Sequence, residues 1–220
     1  LGLLVAQLDE LPPRSCSIAF RGEVAARNTQ LVTAAFAAGL LESAIEGVNV
    51  VNAELLLRER GIELVEQKRT DPGAFSSVVA VDLVAGDRVH RAAGTLFGHS
   101  MPRLVQLEGH RLEAYLDGVL LVFTHQDVPG IIGQVGTAFG KLGVNIAQMT
   151  VGRSTPGGDA IGVLNLDQAP DEHALAEVLA CRGIKSAKVV KLPPAGQLPS
   201  WLATAGAASR ASSASVSTCD

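Results

Sequence analysis

From Val119 to Leu192 the spacing of apolar residues switches from two to about 3.6 and back, twice over, and this alternation limits the fold more than any other feature. Val119–His125 reads as a strand and Gly130–Leu142 as a helix, with Ile131, Val135, Ala138 and Leu142 on one stripe. Asn145–Arg153 and Asp159–Asp167 follow as strands, then Asp171–Cys181 as a helix and Lys185–Leu192 as a strand. The order β-α-β-β-α-β predicts a ferredoxin-like unit.

Upstream, Leu1–Leu11 has helical spacing and stops at Pro12-Pro13, which cannot continue a helix. Ser15–Arg21 alternates in strand fashion, and Thr29–Ile45 and Asn49–Arg60 read as helices. Strands are expected over Ile62–Arg69, Phe75–Val84, Arg88–Phe97 and Arg103–Glu108, with turns at Asp71-Pro72-Gly73, Gly86-Asp87 and Gly98–Pro102. The expected class is therefore α+β: a first unit over 14–117 with a mostly antiparallel sheet, then the ferredoxin-like unit over 118–192. Tyr115–Gly118 is the expected hinge between them. Residues 1–13 are a linker helix. The segment 193–220, rich in Ala, Ser, Gly and Pro, buries too little to offset ordering entropy and is expected to be disordered.

Composition narrows the function. A net charge of −4 with pI near 5.7 lacks the basic excess of a nucleic-acid binder. Cys16, Cys181 and Cys219 are far apart and form no CxxC pair, which points away from zinc and disulfides and towards a reducing cytoplasm. The five histidines form no HxxxH pair, so no metal is expected. Apolar runs fall short of a membrane span. The glycines at 130, 133, 136, 140 and 143 match neither GxGxxG nor a P-loop, and no GxSxG elbow occurs. No catalytic set and no cofactor site are expected. The chain opens at Leu1 without Met, inside a helical pattern, and the expectation is a fragment of something longer.

The most chemical segment is His125–Asn145. A strand ends at His125, a polar turn follows, and Pro129-Gly130 opens a helix where Pro is tolerated. First-turn amides have no intrahelical acceptor and suit a carboxylate, while Asp127 beside them suits an ammonium. Asn145 both donates and accepts. Together these fit a zwitterionic amino acid. The plainer reading is that Asp127 caps the helix and Asn145 closes a turn. His125, at a strand end, reads equally well as a surface histidine. Arg103, His110 and Arg111 are a candidate anion site, although scattered surface cations are the simpler reading.

Asp127-x-Pro129-Gly130, Gly143-Val144-Asn145 and Met149-x-Val151-Gly152-Arg153 resemble the ACT domain, a ferredoxin-like module that binds small metabolites, mostly amino acids. Arg21-Gly22-Glu23, the run Val48–Ala53, Arg58–Ile62 and Ala93–Gly98 resemble the intervening, or allosteric substrate-binding, domain of long phosphoglycerate dehydrogenases. This resemblance covers about residues 1–192 and makes Leu1–Leu11 similar to the helix leaving a nucleotide-binding domain. It implies a parent oxidoreductase that converts 3-phosphoglycerate with NAD in L-serine biosynthesis, its NAD site lying outside this segment. It also implies L-serine as effector at His125, Asp127, Val128, Pro129, Gly130, Ile131, Ile132 and Asn145, bound where ACT domains of a homo-oligomer pair side by side. The family carries Asn or Tyr in some members where this chain has Asp127 and His125. Two alternatives are weighed. One is the β subunit of an iron–sulfur L-serine dehydratase, whose Ser-rich N-terminal segment this chain lacks. The other is a stand-alone amino-acid-binding ACT module.

Overall fold

The computed structural model describes residues 1–71 and 73–202. The elements are α1 (Gly2–Ala6), β1 (Pro13–Gly22), a 3-10 turn (Glu23–Ala26), α2 (Gln30–Leu41), α3 (Ala53–Glu59), β2 (Glu63–Arg69), β3 (Ser77–Ala85), β4 (Arg88–Phe97), β5 (Met101–Leu107), β6 (His110–Tyr115), β7 (Val119–Gln126), α4 (Ile131–Lys141), β8 (Ile146–Arg153), β9 (Asp159–Leu166), α5 (Glu172–Leu179) and β10 (Ile184–Lys191). They build two sheets, a six-stranded one in the order β2-β1-β3-β4-β5-β6 and a four-stranded one in the order β10-β7-β9-β8. In the first sheet only β1 and β2 pair in parallel; the other pairings are antiparallel. The expected α+β class is what the chain forms.

The four-stranded sheet is covered on both faces, and its alternation explains how. Leu121, Phe123, Leu164 and Leu166 pack with Ile131, Val135 and Phe139 of α4 and Val178 of α5. Leu120, Val122, Ile161, Val163 and Val190, one residue out of phase, join the core of the other sheet with Leu104, Leu107 and Ala114. That larger core continues through Ile18, Phe20, Val81 and Leu83 to Leu4, Phe36, Leu40 and Leu57 on the helices. Each Val, Leu, Ile or Phe among them contributes about 1.5–3 kcal/mol when fully buried.

Where the sheets meet, polar side chains complete the backbone of β6. The Gln148 carboxamide accepts from the Tyr115 amide (3.0 Å) and donates to the Glu113 carbonyl (3.4 Å), as a neighbouring strand would. Asn165, buried, donates to the carbonyls of Tyr115 (3.2 Å) and Asp117 (3.4 Å). Gly152 permits the approach, because a Cβ there would lie 2.7 Å from the Arg111 carbonyl oxygen. The segment expected to act as a hinge is pinned: Gly118 donates to Pro193 and accepts from Leu192, in addition to the Asn165 bonds.

Three differences from the sequence reading have local causes. The helix expected over Leu1–Leu11 ends at Ala6, because Asp9 turns its carboxylate back onto the amides of Glu10 and Leu11 and pulls the chain away. Strand β6 was not expected. Its hairpin turn uses Glu108 (φ 48) and Gly109 (φ 80), a left-handed pair that Asn-Gly or Asp-Gly would have announced. The expected disorder from Pro193 does not describe Pro193–Leu202. There Trp201 is buried, its Nε1 donating to Glu42 (3.1 Å), and Ser200 donates to the same carboxylate (2.6 Å). The rest of that expectation, 203–220, lies outside the described residues.

Candidate effector site

The end of β7, the turn into α4 and the hairpin between β8 and β9 converge on one carboxylate. Asp127 Oδ2 accepts from Arg153 Nη1 (3.0 Å) and from the Gly157 amide (3.1 Å), while the Asp127 amide donates to the Gly158 carbonyl (2.8 Å). All of these partners belong to the β8–β9 hairpin, so the hairpin holds both backbone and side chain of Asp127. Among the described residues, Oδ1 takes no hydrogen bond. The Gly157 amide first, then the Arg153 guanidinium, hold this carboxyl below the usual carboxylate range.

Asp127 therefore does not cap α4. The N-cap is Gly130 at φ 94, a left-handed conformation costly to any residue with a Cβ, and no side chain caps the helix. The amides of Ile131, Ile132 and Gly133 have no acceptor among the described residues, and of the three residues Ile132 and Gly133 are exposed, as a helix start that binds an anion requires. Val128, Pro129, Gly130 and Ile132 are exposed around them, whereas Ile131 is buried and anchors the helix to its sheet.

His125 lies lower. It is only 2 % exposed, its ring stacks on Phe123, and Nδ1 is 2.9 Å from the Gln126 carbonyl. Its Nε2 is buried without a partner. Asn145 lies beyond the other end of α4, exposed, with Nδ2 donating to Asp167 (2.6 Å). A helix the length of α4 spans about 16 Å, so Asp127 and Asn145 of one chain are too far apart to grip the same small molecule. Of the predicted site residues, the structure brings together Asp127 with the turn 128–132 and sets Asn145 apart.

The candidate anion residues do not converge. Arg103 pairs across from Tyr115 and Arg111 across from Gln106, so they sit at opposite ends of β6. The Arg103 guanidinium lies over the Tyr115 ring (4.3 Å) and the Phe97 ring (5.6 Å), mostly buried. His110 instead contacts Ser154 Oγ (3.2 Å) in the β8–β9 hairpin. Sequence reasoning missed Arg153 as a partner of Asp127. Its signal was present in Gly152-Arg153, read there only as part of a family resemblance.

This fold, with an open helix start beside a held carboxylate, defines an ACT domain: that family matches residues 119–183, and the D-3-phosphoglycerate dehydrogenase intervening domain matches residues 1–108. The chain belongs to the D-3-phosphoglycerate dehydrogenase family and corresponds to its C-terminal regulatory region. It is 33% identical over 195 residues to D-3-phosphoglycerate dehydrogenase of Bacillus subtilis, covering 88% of this chain and 37% of that protein. To the enzyme of the same name from Methanocaldococcus jannaschii it is 30% identical over 193 residues, covering 87% and 36%. To that of Synechocystis it is 34% identical over 194 residues, covering 87% and 35%. The chain thus spans little more than a third of the length of these curated relatives.

Proposed function

We propose that this region senses L-serine and feeds the signal back on a parent NAD-dependent 3-phosphoglycerate dehydrogenase in the cytoplasm, whose NAD-binding and catalytic residues lie outside this segment. The reading rests above all on the α4 entrance: amides open to a carboxylate, beside an acid whose Oδ1 is free for an ammonium. Each charge-assisted bond contributes about 1.5–3 kcal/mol. His125, beneath this turn, supports the end of β7.

The distance along α4 divides the site between two copies: Asp127 and the 128–132 turn of one, Asn145 of the other. Side-by-side pairing of ACT domains in a homo-oligomer supplies that arrangement. Of the two edge strands, β10 already has its Lys191 backbone occupied by the Gln7 carboxamide (2.9 and 3.0 Å), which leaves β8, with Val151 exposed, as the freer edge for a second copy. Serine bridging the pair would favour one arrangement of the copies, and a coupling of about 1–3 kcal/mol is enough for feedback.

Calorimetry with L-serine tests this. Asp127→Ala and Asn145→Ala are each expected to lose binding, while a mixture of the two refolded together recovers one intact site per mixed pair. Serine binding by both variants at wild-type strength refutes the site, and absence of recovery on mixing refutes its division between copies.

A further inference from the structure

Asp127 has two partners on the same oxygen, and they differ in kind. The Gly157 amide is backbone, fixed by a hairpin whose Gly158 carbonyl also holds the Asp127 amide (2.8 Å). Arg153 is a long side chain, 56% exposed, reaching over from the end of β8. An exposed ion pair of this sort contributes little to stability and separates readily. Its two charges are carried on different elements, the turn after β7 and the end of β8, and the acceptor-free amides of α4 lie just past Asp127 in the chain.

We propose that Arg153 determines specificity at this effector site by serving as its cationic half, turning from Asp127 to the α-carboxylate of the bound amino acid. This rests on the amino-acid-sensing reading above and deepens it. Before binding, the two charges satisfy each other. When a zwitterion enters, its ammonium replaces the guanidinium on Asp127, and its carboxylate takes the guanidinium together with the α4 amides. One ion pair opens and two form, so opening the pair leaves neither protein charge unmatched. The Gly157 amide keeps the Asp127 carboxylate aimed while Arg153 leaves. An amine without a carboxylate meets the opposite situation: it displaces Arg153 and offers the guanidinium nothing in return. The pair thereby selects for α-amino acids and against simple amines, a discrimination that Asp127 and the helix amides alone provide only in part.

The test compares L-serine with L-serine methyl ester, a cation lacking the carboxylate, by calorimetry on the intact chain. In wild type the ester is expected to bind at least about 30-fold more weakly than serine. Arg153→Gln should weaken serine about 10- to 50-fold and leave the ester no weaker, or up to about fivefold tighter because Asp127 is then unoccupied, so that the preference collapses. Arg153→Lys, which keeps the charge, should stay within about fivefold of wild type for serine. Unchanged serine affinity in Arg153→Gln overturns the proposal. So does an equal loss for both ligands, which marks Arg153 as a structural support. A wild-type chain that binds no serine removes the sensing reading itself, and is told apart from these outcomes because it needs no variant.

Discussion

Asp9 and Asp127 are two loop carboxylates, each facing an arginine and at least one backbone amide, yet one is closed and the other half open. Asp9 gives Oδ1 to the amides of Glu10 and Leu11, and Oδ2 to His90 Nε2 (3.0 Å) and Arg88 (3.5 Å), with its side chain 7% exposed. The other ring nitrogen of His90 faces Glu108 (3.3 Å), so the imidazole sits between two acids and ties the segment after α1 to β4 and the β5–β6 turn. Asp127 crowds its partners onto one oxygen and leaves the other bare. A carboxylate with every lone pair engaged is a fastening, whereas one held firmly by half of its lone pairs is aimed at something.

The largest effect that would break this comparison is expected at the closed end. Asp9→Ala should cost about 3 kcal/mol, because it leaves His90 with one acid and removes a buried charge partner. Urea unfolding followed by the fluorescence of Trp201, the single tryptophan and a buried one, measures it. Asp127→Ala should reverse the pattern: an unfolding midpoint indistinguishable from wild type, but serine affinity down about 30-fold. Equal stability losses in the two variants would abolish the distinction. At the junction of the sheets, Gln148→Ala should cost about 1 kcal/mol through the exposed ends of β6, with no direct effect on ligand contacts.

Acid gives the finest discrimination. The His90 contact, the largest cause, and the Leu11 amide lower the Asp9 carboxyl to about 2. A carboxyl depressed in the folded state stabilises above its unfolded value near 3.9 and loses that contribution as pH falls through about 2. Wild type should therefore lose stability more steeply than Asp9→Ala between about pH 4 and pH 2. Parallel slopes would mean that the unfolded chain holds this acid in the same way.

The ferredoxin-like half was legible because both of its faces are buried, so its strands and helices carry unbroken periodic signals such as Ile131, Val135 and Ala138. Strand β6 was not, since its edge is completed by Gln148 and Asn165 from elsewhere in the chain and its own residues, His110–Tyr115, need little hydrophobicity. The same limit hid Arg153. Its meaning depends on a hairpin folding back to the end of β7, a contact between residues 26 positions apart that no local spacing encodes. The docking of Trp201 was hidden likewise, because Glu42, its acceptor, lies 159 positions earlier in the chain. The turn at Asp127-Val128-Pro129-Gly130 was readable from chain chemistry alone; only the direction of its carboxylate was not.

Because Gly152 carries no side chain, β8 lies against β6 almost backbone to backbone, and the carboxamide of Gln148 bridges the remaining space. The strand that leads into Arg153 is thus the same strand that grips the neighbouring sheet. A ligand that draws the Arg153 end of β8 sideways has no slack to absorb the pull: the displacement is handed across a glycine-wide seam to β6, in the manner of a lever whose fulcrum is an absent methyl group.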